Sequence, residues 1–334
     1  MLNRRFGARL LGPLILCNLA AWGWALGAFH RAPALLGAAL LAWMFGLRHA
    51  VDADHIAAID NVVRKLVQSG RRAQTAGLWF SLGHSTVVVL ATVVVTVSAL
   101  GIEHWLGIAR QIGGVAGTLV SATFLLGIAI ANLVVLHGVW RSFAAVRKGD
   151  AIDAYAPGAD LMGPGLMARL LRPLLRGITK SWHMYPLGFL FGLGFDTATE
   201  IGVLGLSATQ ASQGMSRWQV MVFPALFTAG MALVDTIDSV LMVHAYGWAI
   251  INPLRKLWYN LTITAASVLV AVLIGSVELL GLMGDRMALH GPLWAVAGAL
   301  NADLGYLGFA VIGLFVACWI TSFIVYRWQG YHRV

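Results

Sequence analysis

Charge is scarce in this 334-residue sequence: 11% of it is Asp, Glu, Lys or Arg, against about 25% in an average soluble domain. A soluble enzyme of this length needs a charged surface, and the residues to build one are missing. Cysteine is nearly absent. Cys17 and Cys318 sit in apolar stretches at opposite ends of the chain, which excludes a disulfide framework and a CxxC metal site. No GxxxxGK[ST] phosphate loop occurs, so the chain does not hydrolyse ATP by that route. Acids are fewer than bases, 14 against 23, for a net charge of +9. The basic residues are spread over many short loops and form no single stripe, which argues against nucleic-acid binding. What is abundant is apolar: 59% of the residues are hydrophobic and the mean hydropathy is +0.78. Disorder is excluded by the same numbers, and an all-α, polytopic membrane protein remains.

Eight apolar stretches stand out, at 10–29, 34–58, 76–100, 112–138, 184–207, 218–247, 257–283 and 304–326. Each is near or above the ~20 residues of a spanning helix. The second is the weakest, because its apolar run ends in Arg48-His49-Ala50-Val51-Asp52-Ala53-Asp54-His55. Basic residues set the orientation. Arg4, Arg5 and Arg9 precede the first span, and Arg64, Lys65, Arg71 and Arg72 fall in the 59–75 loop. Seven more fall in the 139–183 loop, and pairs follow the sixth and eighth spans. In all, 18 of the 23 lie on one side and four on the other, with Arg48 inside a span. The positive-inside rule then places both termini in the cytoplasm. A basic N-terminus before an apolar run also fits a signal peptide. The lack of a clear small-residue cleavage site and seven further spans favour a retained helix.

Pro157-Gly158 and Gly163-Pro164-Gly165 break the long central loop. They divide the chain into an N-terminal membrane half (1–138), a cytoplasmic loop (139–183) and a C-terminal membrane half (184–334). Residues 166–180 fit a basic amphipathic helix on the membrane surface, and equally a solvated loop. An inverted repeat is conceivable, but the two halves match poorly residue by residue.

A charged residue in a span costs at least ~2.5–3.5 kcal/mol, so each one needs a reason. Half of the acids fall in or beside spans: Asp52, Asp54, Asp196, Glu200, Asp235, Asp238 and Glu278. On a regular helix His49, Asp52 and His55 share one face about 120° wide. Two imidazoles and a carboxylate there suit a borderline divalent transition metal. Asp54 points elsewhere unless the helix unwinds. It is then a partner orienting an imidazole, or the unwinding brings it in. A buried salt-bridge cluster with Arg48 is the plainer alternative. In the third span Gly83 permits close helix approach, and His84 reads as a further ligand, a proton acceptor or an interhelical hydrogen-bonding group. Asp196 and Glu200 share a face of the fifth span, and Asp235 and Asp238 a face of the sixth. Like charges at such spacing repel unless cations or protons neutralise them. A cation path or a proton-coupled set is the simpler reading, and protonated packing acids are the alternative. Asn132, in the fourth span, is a weaker candidate.

These blocks resemble the nickel/cobalt transporter family, NiCoT. Arg48–Ile56, RHAVDADHI, carries the family's His-x4-Asp-His pattern as His49, Asp54 and His55. LGHST at Leu82–Thr86, LGFDTATE at Leu193–Glu200 and GMALVDTIDS at Gly230–Ser239 follow in order. The family's last block often ends Asp-Gly where this chain has Asp238-Ser239. The resemblance implies an eight-helix permease of the cytoplasmic membrane that takes up Ni²⁺, Co²⁺ or both with high affinity. It also implies that His49, Asp54 and His55 are essential.

The combined expectation is a metal site of His49, Asp52, Asp54, His55 and His84. A path or proton-coupling set of Asp196, Glu200, Asp235, Asp238 and Asn132 serves it. Ni²⁺ or Co²⁺ is cargo, with no bound cofactor, no obligatory ATPase and no nucleic acid; the partners are the ion and the lipid bilayer, and homo-oligomerisation stays open. Three rivals are weighed. Efflux is one, but related exporters often carry a His-rich loop and the 139–183 loop holds only His183. The membrane subunit of an ATP-driven importer is another. The third is an intramembrane metalloenzyme, for which there is no HExxH.

Overall fold

The computed structural model describes residues 4–97, 103–147, 178–194, 197–249, 253–302 and 304–328. Asp196, and the proposed helix at 166–180 apart from its last residues, lie outside them. Every regular element among the described residues is helical. The first five are α1 (Arg4–Phe29), α2 (Pro33–His49), α3 (Ala53–Gln68), α4 (Ala76–Val97) and α5 (Glu103–Arg147). After a short 3-10 turn at Ser181–His183 come α6 (Met184–Gly192), α7 (Ala198–Ser212), α8 (Arg217–Val220) and α9 (Val222–Ala249). Then follow α10 (Pro253–Met287), α11 (Pro292–Ala302) and α12 (Leu304–Trp328).

Long helices are what apolar runs must form in lipid, where backbone polar groups can be satisfied only within the segment. Five helical stretches are long and apolar enough to cross a bilayer. Seven are, if the bent pairs α2/α3 and α11/α12 each count as one span. Leu16, Leu19, Leu90, Leu241 and Leu269 stand exposed on outer faces of these helices, where hydrocarbon suits them better than water. The chain is a multi-pass membrane protein.

Three sequence expectations change. The second span is not one helix: it breaks at 50–52, and the axes of α2 and α3 differ by 50°. At the break the amides of Val51 and Asp52 bond three residues back, to Arg48 and His49, tightening the turn. Asp52 then starts α3 in extended conformation but does not cap it. Its carboxylate takes the Arg48 guanidinium at 3.0 Å and His49 Nδ1 at 2.8 Å instead. The fifth expected span is likewise divided, into α6 and α7. Last, the supposed loop at 59–75 is helical to Gln68, and Arg64 is 2% exposed, buried in the bundle and not lying in a cytoplasmic loop. Helix α5 also runs to Arg147, into the stretch read as loop.

Helix α3 is central: 12 of its 16 residues are buried, and it packs against α4, α5, α9, α10 and α12. Helix α9 faces it and also touches α1, α2, α4 and α7. Helices α4 and α6 approach until backbones touch. A Cβ on Gly83 would collide with the Tyr185 carbonyl, and one on Gly188 with that of Phe80. Small residues allow such contact, which in lipid replaces the hydrophobic drive to associate.

Candidate metal centre

Both interrupted helices deliver their polar blocks to one place. His49 is the last residue of α2 and His55 lies in the first turn of α3. His84 projects from the middle of α4, Glu200 from the first turn of α7 and Asp235 from the middle of α9. Thr197 caps α7, accepting the Glu200 amide, while its hydroxyl donates to Glu200 Oε2 at 2.9 Å. The positive helix start also favours a carboxylate in that turn.

The three imidazoles form a closed cluster. Each offers a ring nitrogen, and the three atoms lie within 4.8 Å of one another. Ring centroids are 4.5 Å apart for His49–His55, 4.6 Å for His49–His84 and 4.9 Å for His55–His84. Their relative exposures are 1%, 0% and 3%. Phe80 and Phe227 pack beside the rings.

The hydrogen bonding is incomplete in a way that favours a cation. His49 Nδ1 lies 2.8 Å from Asp52, and a neutral ring that donates there keeps its Nε2 as an acceptor. That Nε2 is 2.9 Å from His84 Nε2, which is also 2.7 Å from Glu200 Oε1. One proton on His84 Nε2 cannot satisfy both acceptors. His55 is worse placed: among the described residues neither ring nitrogen has a hydrogen-bond partner, and the nearest carboxylate oxygen, on Asp235, is 3.5 Å away. Both Asp235 oxygens likewise lack a hydrogen bond among the described residues, at 0% exposure. Buried polar atoms are rarely left so. Metal–nitrogen bonds of about 2.0–2.1 Å at right angles place two ligand atoms about 2.9 Å apart, the separation of His49 and His84. A dication here would replace the missing protons, and Glu200 and Asp235 would balance its charge.

The expected residues sort as follows. His49, His55 and His84 meet. The shared helical face of His49, Asp52 and His55 does not exist, because the helix breaks between them; the two histidines converge across the bend. Asp52 holds the far nitrogen of His49, the outer carboxylate that usually fixes a ligating imidazole's tautomer. Asp54 is partly buried and close enough to act electrostatically on His49 and Asp235. Glu200 and Asp235, expected along the path, stand in the centre itself. Asp238 is one turn farther along α9, and Asn132 bonds Asn61 instead. Asp196 lies outside the described residues. Sequence reasoning missed Thr197 and Thr199, whose hydroxyls lie 3.4 and 3.2 Å from His49 Nδ1. Their place inside the LGFDTATE block was the available signal.

Comparison with known proteins places the whole chain in company. A family model described as high-affinity nickel-transport protein matches residues 35–325. A high-affinity nickel transport protein of Cupriavidus necator is 55% identical, over 95% of this chain and 91% of its own length. The nickel transporter NixA of Staphylococcus aureus is 45% identical, over 91% and 88%. The cobalt transport protein NhlF of Rhodococcus rhodochrous is 37% identical, over 96% and 92%. No solved structure matches.

Proposed function

The chain belongs to the high-affinity nickel-transport family, and on that premise we propose that it is a permease taking up Ni²⁺, Co²⁺ or both through the histidine centre. It is a transporter and not an enzyme, and the metal is its cargo. The observation that carries this reading is the meeting of His49, His55 and His84 within 4.8 Å, nine-tenths or more buried, where two broken helices end. Interrupted helices at mid-membrane are a recurrent way to build an ion site.

Imidazole with carboxylate selects borderline cations over hard Mg²⁺ and Ca²⁺, which prefer all-oxygen cages. No thiolate belongs to the cluster, which disfavours Cu⁺. Counting α6/α7 as a third broken span gives eight spans in the cytoplasmic membrane. Withdrawing Arg64 from the loop charges leaves the basic asymmetry intact, so both termini face the cytoplasm. The inside-negative potential favours entry of a dication by ~2.3 kcal/mol per charge per 100 mV. Transport is then secondary and needs no dedicated ATPase.

The test is ⁶³Ni²⁺ uptake at nanomolar metal by cells expressing the chain, beside His49→Ala. Saturable uptake that Co²⁺ competes and excess Mg²⁺ does not, lost in the variant, is expected. Absence of uptake above empty cells, with the protein in the membrane, would refute it.

A further inference from the structure

The metal centre has no use for Arg64, yet this guanidinium is buried in a membrane bundle at 2% exposure. Intramembrane charges are costly and mark function. The usual remedy is a carboxylate partner, and among the described residues none lies within 4.0 Å. Nη1 donates instead to Thr264 of α10 at 2.9 Å, and Nη2 to Asn61 Oδ1 at 3.0 Å. Asn132 of α5 donates to that same oxygen at 2.6 Å. Among the described residues the Nε–H has no hydrogen-bond partner. One turn earlier on the same face is Asp60, fully buried, held by the Tyr246 hydroxyl of α9 and by Ser267 of α10 at 2.7 Å. A guanidinium and a carboxyl group thus sit one turn apart, each hydrogen-bonded to neutral groups.

Their position relates them to the cargo. Along α3, Asp60 is about 7 Å and Arg64 about 13 Å beyond His55 in helical rise. In the proposed topology that direction is cytoplasmic. On α9, Asp238 follows Asp235 by one turn, lies in electrostatic range of Asp60, and has a carboxylate oxygen without a hydrogen-bond partner among the described residues. Asp235, Asp238 and Asp60 therefore step acceptor oxygens inward from His55, and Arg64 stands at the end of the series.

We propose that Arg64 is the inner gate of the permease, a tethered cation that bars the dication beyond Asp60 and Asp238 until α3, α5 and α10 part. An arginine in a narrow polar lining is an electrostatic barrier to cations. Its neutral tethers on α3 and α10 leave it free to move with those helices, where a carboxylate would lock it. This inference rests on the permease reading.

Proteoliposomes holding the full chain, preloaded with ⁶³Ni²⁺ and diluted into metal-free buffer, test it. Arg64→Ala is expected to release metal at least about tenfold faster than wild type. Arg64→Lys, which keeps the charge, stays tight. Thr264→Val, which keeps the charge but cuts one tether, leaks to an intermediate extent. A clamp with no gating role predicts a lower melting temperature and no added leak, so melting is measured in parallel. A folded Arg64→Ala that retains metal like wild type overturns the gate. Should Arg64→Ala not fold, Thr264→Val decides: leak supports the gate and wild-type retention overturns it. A wild type that never takes up metal sinks the permease reading and the gate together, whereas a transporting wild type with a tight Arg64→Ala sinks the gate alone.

Discussion

The Nε2 atoms of His49 and His84 stand 2.9 Å apart, on helices whose residues are 35 positions apart in sequence. At that distance two imidazoles share one proton or one metal ion. The third imidazole, on His55, has no hydrogen-bond partner among the described residues, its nearest carboxylate oxygen standing 3.5 Å away on Asp235, so a proton completes the set less well than a cation can. The proposed occupant, a metal ion, accepts several lone pairs at once.

The proposed site makes His84 a ligand and not a packing residue. His84→Ala should raise the apparent KM for Ni²⁺ more than the 10–100-fold typical of an outer partner, with membrane insertion unchanged. Initial uptake rates across a Ni²⁺ titration, with immunoblots of the membrane fraction, check this. An unchanged KM would remove His84 from the site.

Asp52 acts one step farther out. It holds His49 Nδ1 at 2.8 Å and is itself held by Arg48. Asp52→Asn should lower apparent metal affinity about 10–100-fold, less than loss of a histidine. Binding isotherms of purified protein distinguish the two. A loss equal to that of His49→Ala would place Asp52 on the metal.

Glu200 tests the need for negative charge. Glu200→Gln keeps an acceptor for His84 and removes the charge. Uptake of the dication should fall by about tenfold or more, since intramembrane charge is balanced locally. Equal uptake by the glutamine variant would leave hydrogen bonding as the residue's whole role.

Close packing of α4 on α6 tests the fold independently of the metal. Gly83→Ala puts a Cβ against backbone that cannot yield. It should cost about 1–3 kcal/mol as overpacking, seen as a lower melting temperature in detergent. Gly205→Ala meets open space and should melt like wild type.

The sequence made the helices legible because spanning runs are long and unmistakable, and it made the polar blocks legible because charge in an apolar run stands out. It did not reveal the break at 50–52. Neither Pro nor Gly marks it; side-chain bonds from Asp52 to Arg48 and His49 draw the carboxylate away from capping α3, and such competition is visible only in three dimensions. Ending the second span at residue 58 puts Asp60, Asn61 and Arg64 in a loop, whereas all three are buried on α3. A helix buried on nearly every side need not be apolar on every side. Polar residues of α3 found partners on α5, α9 and α10, and a hydropathy reading registers those partners as the end of the span.

The most direct measurement is Ni K-edge X-ray absorption of the purified chain loaded with one equivalent of Ni²⁺, beside His84→Ala. The account predicts multiple-scattering from three imidazoles in the wild type, reduced by one in the variant. A spectrum of Ni²⁺ surrounded by oxygen alone, identical in both proteins, would contradict it.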